Sequence, residues 1–566
     1  MKHLSTLILA LMFIWTCTPE KGGNDNGGSI IPSEDVTVWG VVYADGTNTI
    51  QGVVVSDGLS CVQTDENGYF QMRSDLSRTR FITVSIPSGY SVPVDSNGLP
   101  MFYHRVTDEE RARNMVKCSF TFAPINNNPD RYTLIVGADP QPRPKTAKWD
   151  NIAYHSLDIC DDLYRDMREK AATITDRKVY GLMLGDIVHE HMPLFDNYVE
   201  SLKTLGFPMF NVIGNHDNDL SSADDTEGRH CFEEHLGPAY YSFNIGEWHF
   251  VVLDNLIMRK NDDGLLNQYD HGLTDEIWEW LQNDLSFVDR STGIMVAAHA
   301  PMFMRTSMFD SSTATGGHRS DYARLFTEFD EVHAWAGHTH ITFNYVYPET
   351  SDRRNINVHT LTRSTGDGWT NEWCSNGTPR GYTVVEIDGD KISWYFKPTV
   401  YQQSAFTGQT PKQPEYRYRD WDYDSDGVAR MKSDNSILDE SYQMKVFPPG
   451  QYHKTFADAQ NGGESNRDEG YVYADIFLWD EAWEIPEYNG VKMERVSSRD
   501  AYSLLDFEIK SHYYACGYLT KNHSSYCPTD NDIFTIFRAK ESSKNGTGTV
   551  TVTDRFGNIY SKNINW

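Results

Sequence analysis

The sequence predicts an α/β domain set between two β-rich regions. Three observations carry that prediction. In the middle of the chain, apolar runs of strand length alternate with helical stretches such as DEIWEWLQNDL, the pattern of an α/β domain. Before it, residues 34–123 alternate apolar and polar side chains around Asp-Gly and Asn-Gly turns. After it, from residue 402, PKQPEYRYRDWDYDSDG is rich in turn residues, and YVYADIFLW, GTVTVTD and GNIYSKNINW read as strands.

The first element is residues 1–17, MKHLSTLILALMFIWTC. Lys2 and His3 precede an apolar stretch, Leu4 to Trp15, that is shorter than the roughly 20 residues a spanning helix needs. It therefore reads as a secretory signal peptide. Ile14-Trp15-Thr16-Cys17 resembles a bacterial lipobox, in which the cysteine is lipidated, although Trp15 stands where small residues are preferred. Residues 18–33 are polar and glycine-rich, a flexible tether. The expectation is an exported bacterial protein, in the periplasm or at the outer membrane or cell surface, with an N-terminal lipid anchor as its membrane contact.

Residues 34–123 read as an N-terminal β-sandwich. The runs GVVVSDG and TDENGYF resemble the small β-sandwich found beside carboxypeptidases and on exported bacterial proteins. With no catalytic cluster, it reads as a spacer or packing module. PINNNPDR (124–131) is a linker, 130–401 the α/β domain, and 402–566 a β-rich domain, most simply a second sandwich. No internal repeat is visible.

Composition narrows the partners. The chain is folded, with 32 Tyr, 27 Phe and 14 Trp, and its formal charge of −30 repels nucleic acids and anionic membranes. An acidic enzyme can still act on phosphates if metals or a few Arg and Lys supply local positive charge. Seven cysteines follow Cys17 without a C-x-x-C pair, which argues against zinc-ribbon and thioredoxin-like sites. Export permits disulfides, and Cys516 and Cys527 are the nearest candidate pair.

The chemistry gathers at the ends of five apolar runs in the α/β region. YTLIVGAD ends on Asp139, VYGLMLGD on Asp186, FPMFNVIGNHD on Asn215, His216 and Asp217, IMVAAHAP on His299, and VHAWAGHTH on His338 and His340. In an open α/β sheet, ligands bind beyond the carboxyl ends of the strands, so five such ends would share one crevice. Taken singly, Asp186 and Asn215 could cap helices, and His338 could be a packed histidine. Five strand ends in order outweigh those readings.

GDIVH, GNHD, AHAP and GHTH resemble the ordered blocks of the calcineurin-like metallophosphoesterases, and ADPQ stands where their first D-x-H block belongs. The likeness spans roughly residues 130–400 and, with the flanking β-modules, extends to three-part exported phosphoesterases of bacteria. It implies a β-sandwich-like αββα core holding two divalent metal ions, and hydrolysis of a phosphate ester. Carried over, Asp139, Gln141, Asp186 and His340 surround the first ion. Asp186, as the bridge, surrounds the second with Asn215, His299 and His338. A metal-bridging hydroxide is then the nucleophile, His216 protonates the leaving oxygen or stabilises its charge, and Asp217 orients His216. The substrate is a phosphorylated small molecule or macromolecule, monoester or diester.

Gln141 departs from the pattern, since an amide is a harder and weaker ligand than an imidazole. The expectation is a looser first site that leans toward Mn²⁺ or Mg²⁺, beside a second site that accepts Mn, Fe or Zn. The same D-P-Q variant occurs in some relatives, so it reads as a branch of the family. A catalytically inactive binding or surface-adhesion protein is the alternative, and Gln141 is the feature that favours it.

Other residues carry less. Arg143 is a candidate phosphate contact. His189 is a candidate partner of the ligands, His191 a surface residue and Asp254 structural, while His271, His318 and His359 have no motif. CSNGTPR (374–380) fits the C-x-x-G-x-x-R of cysteine-dependent phosphatases, but that loop needs a following helix, and GYTVVEIDGDKISWYF reads as paired strands. The loop 363–381, with Trp369, Trp373 and Arg380, is expected to be a lid, Trp373 and Arg380 being candidate substrate contacts.

Overall fold

The structure, a computed structural model, describes residues 32–144, 156–303, 316–347, 356–366, 374, 376–399, 421–423, 429–431, 441–449, 470–496 and 535–566. The proposed signal peptide, Trp369, Trp373, Cys516 and Cys527 lie outside them. No helix among the described residues is long and apolar enough to cross a membrane.

The five ligand-bearing runs are all strands, but two sheets share them. One sheet runs in the order 209–212, 178–184, 131–137, 381–388, 391–398. Its first three strands are parallel, and the last two join antiparallel. The other runs 241–245, 248–253, 293–298, 332–336, 356–360, 343–347, with four central strands parallel.

Alternation of side chains explains the layering. Leu134 and Val136 belong to the same core cluster as Phe250, Val252, Met295 and Ala297, between the sheets. Ile135 and Met183 instead cluster with residues of the helices Ser156–Thr173 and Leu194–Leu205. On the far side, Val251, Ile294 and Val296 cluster with residues of Asp275–Leu285 and Arg319–Phe326. Both faces of each sheet are buried, so these strands read as continuous apolar runs. The result is helix, sheet, sheet, helix, with the carboxyl ends of the parallel strands at one edge.

The flanking modules are packed onto this core. The N-terminal one has a five-stranded sheet around Val38–Ala44 and a second, four-stranded sheet. It also has a short helix, Asp108–Arg113, closed by a Thr107–Glu110 capping box, which strand alternation does not foresee. Asn244 of the core donates to Ile86 O through both its backbone (2.9 Å) and side-chain (3.0 Å) nitrogens. On the C-terminal side are two four-stranded sheets. There Gln443 receives Phe396 N at 3.0 Å and donates to Phe396 O at 2.8 Å, so it caps the edge strand of the first core sheet.

Candidate metal centre

Three of the five ligand blocks leave their strands through left-handed backbone. Asp139, Gln141, Asp186, His338 and His340 all have positive φ, between 42° and 69°. Non-glycine residues avoid that region at a cost of about 1–3 kcal/mol each, and such strain collects where function demands it. The glycines beside the ligands have a steric reason. A Cβ on Gly214 would lie 2.2 Å from Asp186 Oδ1, and one on Gly337 2.4 Å from Asp139 Oδ2. The GN and GH blocks can approach the aspartates because nothing protrudes from those two positions.

The predicted ligands meet. His338 Nδ1 lies 3.0 Å from Asn215 Oδ1 and 3.2 Å from His299 Nε2, which is 3.3 Å from Asp186 Oδ2. Asp139 Oδ1 lies 3.5 Å from His340 Nε2 and 3.9 Å from His299 Nε2. Ligand atoms about 2.1 Å from one tetrahedral or octahedral ion are about 3–3.4 Å apart, so these spacings fit divalent ions. The field fits as well. Burial opposes a charge on His299, yet Asp186 and Asp139 overcome it and push its imidazole up to about 10. Asp186 is itself held well below the carboxylate range against its burial, by His299 and His216. A buried pocket that favours positive charge this strongly suits a cation.

Gln141 is in place but turned. Its amide nitrogen donates to Asp186 Oδ2 and lies 3.3 Å from His340 Nε2. In this orientation it holds the Asp186 carboxylate; as a ligand it would have to rotate its amide and present Oε1.

His216 and Asp217 follow Asn215 in the chain, and the expected pairing between them is not the one found. Asp217 accepts Val188 N at 2.9 Å and Gly214 N at 2.8 Å, so it ties the GDIVH loop to the GNHD loop. Burial and the neighbouring Asp186 push its carboxyl up to about 7. The carboxylate on His216 Nδ1 is Glu190, at 3.1 Å, and Glu190 N also donates to His216 O at 2.9 Å. Asp217 adjoins His216 in the chain, but its carboxylate turns back onto Gly214 N and Val188 N, which leaves His216 Nδ1 to Glu190. Burial opposes protonation of His216, but Asp186 and Glu190 raise it above the usual histidine value. The ring stacks on His189, 3.9 Å between centroids. Arg143 places its guanidinium against His189 Nε2. Burial, His216 and Arg143 together push His189 down to about 2, so it is a neutral partner.

Of the loop expected to be a lid, residues 363–366, 374 and 376–381 are described. Arg363, Ser364, Thr365, Asn376, Thr378 and Arg380 are buried, Arg380 at 1% exposure, and Ser364 and Thr365 lie beneath the first block. Ser364 Oγ accepts Ala138 N at 2.9 Å, and Thr365 Oγ1 donates to Pro140 O at 3.1 Å. Cys374 sits in a turn closed by Gly377 N on its carbonyl and leads into the strand Gly381–Asp388, not a helix. Asp254 pairs with Arg229 at 3.1 Å in the interior, and His359 is a core residue against His333 and Trp335. His271, without a motif in the sequence, stands beside His338.

Family models cover most of the chain. One described as the N terminal of calcineurin-like phosphoesterase matches residues 36–124, the calcineurin-like phosphoesterase model itself 133–342, and one for its C terminal 362–560. No curated protein matches the chain. Among solved structures, a dimetal phosphatase from Danio rerio is 13% identical, over 48% of this chain and 96% of that one, with a TM-score of 0.32. Purple acid phosphatase PPD1 from yellow lupin is 11% identical, over 62% of this chain and 67% of that one, with a TM-score of 0.34. With three successive family models matched in order, and their ligand blocks brought to one point, the chain belongs to the calcineurin-like phosphoesterases.

Proposed function

We propose that this protein hydrolyses a phosphate ester at a centre of two divalent ions. The observation that carries the reading is the convergence of Asp139, Asp186, Asn215, His299, His338 and His340, from five strand ends in two sheets, at ligand spacing. Two bound ions would supply the attacking water and neutralise charge on the phosphate oxygens. Asp186 shares its carboxylate between the two sets of ligands, and its other oxygen accepts His216 N at 2.9 Å, which sets the distance from ligand to acid. Glu190 occupies His216 Nδ1, so the proton given to the leaving oxygen comes from Nε2 as the P–O bond breaks. Mn²⁺ or Mg²⁺ suits the first position, where Gln141 stands, and Mn, Fe or Zn the second. Export with a lipid on Cys17 would place this activity outside the cytoplasm.

One observation favours a binding protein without catalysis: Gln141 stands where the family pattern has an imidazole. The experiment is to assay residues 18–566, loaded with Mn²⁺, on p-nitrophenyl phosphate and bis-p-nitrophenyl phosphate, with and without EDTA. Turnover that EDTA abolishes is expected. Its absence here and on a wider phosphoester panel would favour the binding protein.

A further inference from the structure

A two-stranded hairpin, Leu256–Lys260 with Leu266–His271, belongs to neither core sheet. Its base is tied to the metal centre. Asn255 Nδ2 donates to Ala300 O at 2.7 Å, and Ala300 N donates back to Asn255 Oδ1 at 3.1 Å, gripping the residue after His299. Gly272 N donates to Asn255 O at 2.9 Å, closing the other end of the hairpin on the same residue.

Tyr269 and His271 are two apart in the return strand and so share one face. That face meets His338. Tyr269 Oη lies 3.4 Å, and His271 Nε2 3.5 Å, from His338 Nε2. Both rings meet the His338 ring edge to face, at 5.6 and 5.4 Å between centroids. The opposite nitrogen, Nδ1, is the one that faces Asn215 and His299. An imidazole that ligates through Nδ1 carries its proton on Nε2, and that N–H needs an acceptor to fix the tautomer and the ring plane.

We propose that Tyr269 and His271 are positioning residues that hold His338 as an Nδ1 ligand of the second ion. The inference rests on the two-ion reading above. Partners of this kind typically contribute 10–100-fold in metal affinity. The test is Mn²⁺ binding, followed by the electron paramagnetic resonance of free Mn²⁺, for wild type, Tyr269→Phe, His271→Phe, the double variant and His271→Gln. Wild type is expected to bind two ions. In the double variant one of the two affinities should fall about 10–100-fold, with His271→Gln, which keeps an acceptor, close to wild type. Thermal unfolding in EDTA should be unchanged, and Tyr269→Phe alone, nearly isosteric, serves if the double variant does not fold. Two unchanged affinities in the double variant would overturn the assignment while leaving the two-ion centre intact. So would equal loss of both ions. A wild type that binds no Mn²⁺ would overturn the proposed function itself.

Discussion

At the scale of single residues, the motif text located the ligands but not their partners. Asp139, Asp186, Asn215, His299, His338 and His340 could be named because each ends an apolar run. Glu190 could not, because its role depends on a turn with φ of 56° that brings it back onto His216. Asp217 looked the better partner on adjacency alone. The two carboxylates predict different phenotypes. Glu190 helps raise the His216 pKa, so Glu190→Gln should move the alkaline limb of the kcat profile to lower pH. It should also cost about 10–100-fold in kcat, part of the ~10²–10⁴ that a placed general acid contributes. Asp217→Asn should leave that limb in place and lower stability by about 1–3 kcal/mol, since one backbone N–H loses its acceptor. Rate profiles and thermal unfolding of the two variants separate these roles.

At the scale of elements, all five strands were legible in the apolar runs, and the two-sheet core followed from the family resemblance alone, which did not say which strand joins which sheet. Parallel strands buried on both faces lose the polar alternation that would mark one face as inner. The Ser364 and Thr365 floor was missed for a related reason: a buried, irregular segment has no period to read. Loop geometry is the testable element. Gly337→Ala would drive a methyl to within 2.4 Å of Asp139 Oδ2, between the GHTH and ADPQ blocks. Metal affinity should fall at least tenfold, with the fold retained, as measured by metal titration beside circular dichroism.

For the whole molecule, the flanking modules are part of the enzyme's frame. Arg80 of the N-terminal module reaches Glu233 at 2.8 Å, and Arg229 continues through Asp254 to the root of the 256–271 hairpin. In the C-terminal module, burial pushes Asp475 up to about 7, with Thr535 and Lys445 opposing. A carboxyl with a raised folded pKa binds its proton more tightly folded than unfolded. That contribution is therefore fully present below the ordinary carboxylate range of about 3.9 and declines as pH rises to about 7. Asp475→Asn should accordingly raise the melting temperature, more at pH 8 than at pH 5, as scanning calorimetry would show. The sequence marked this region only as β-rich, since a buried aspartate in YVYADIFLW looks like any strand residue.

The most direct measurement is the number of divalent ions bound per chain in residues 18–566 after Mn²⁺ loading and gel filtration, compared with Asp186→Asn. Because Asp186 stands between both sets of ligands, wild type should hold about two ions and the variant should lose both. A wild type with none, or an Asp186→Asn variant that keeps two, would contradict the two-ion centre.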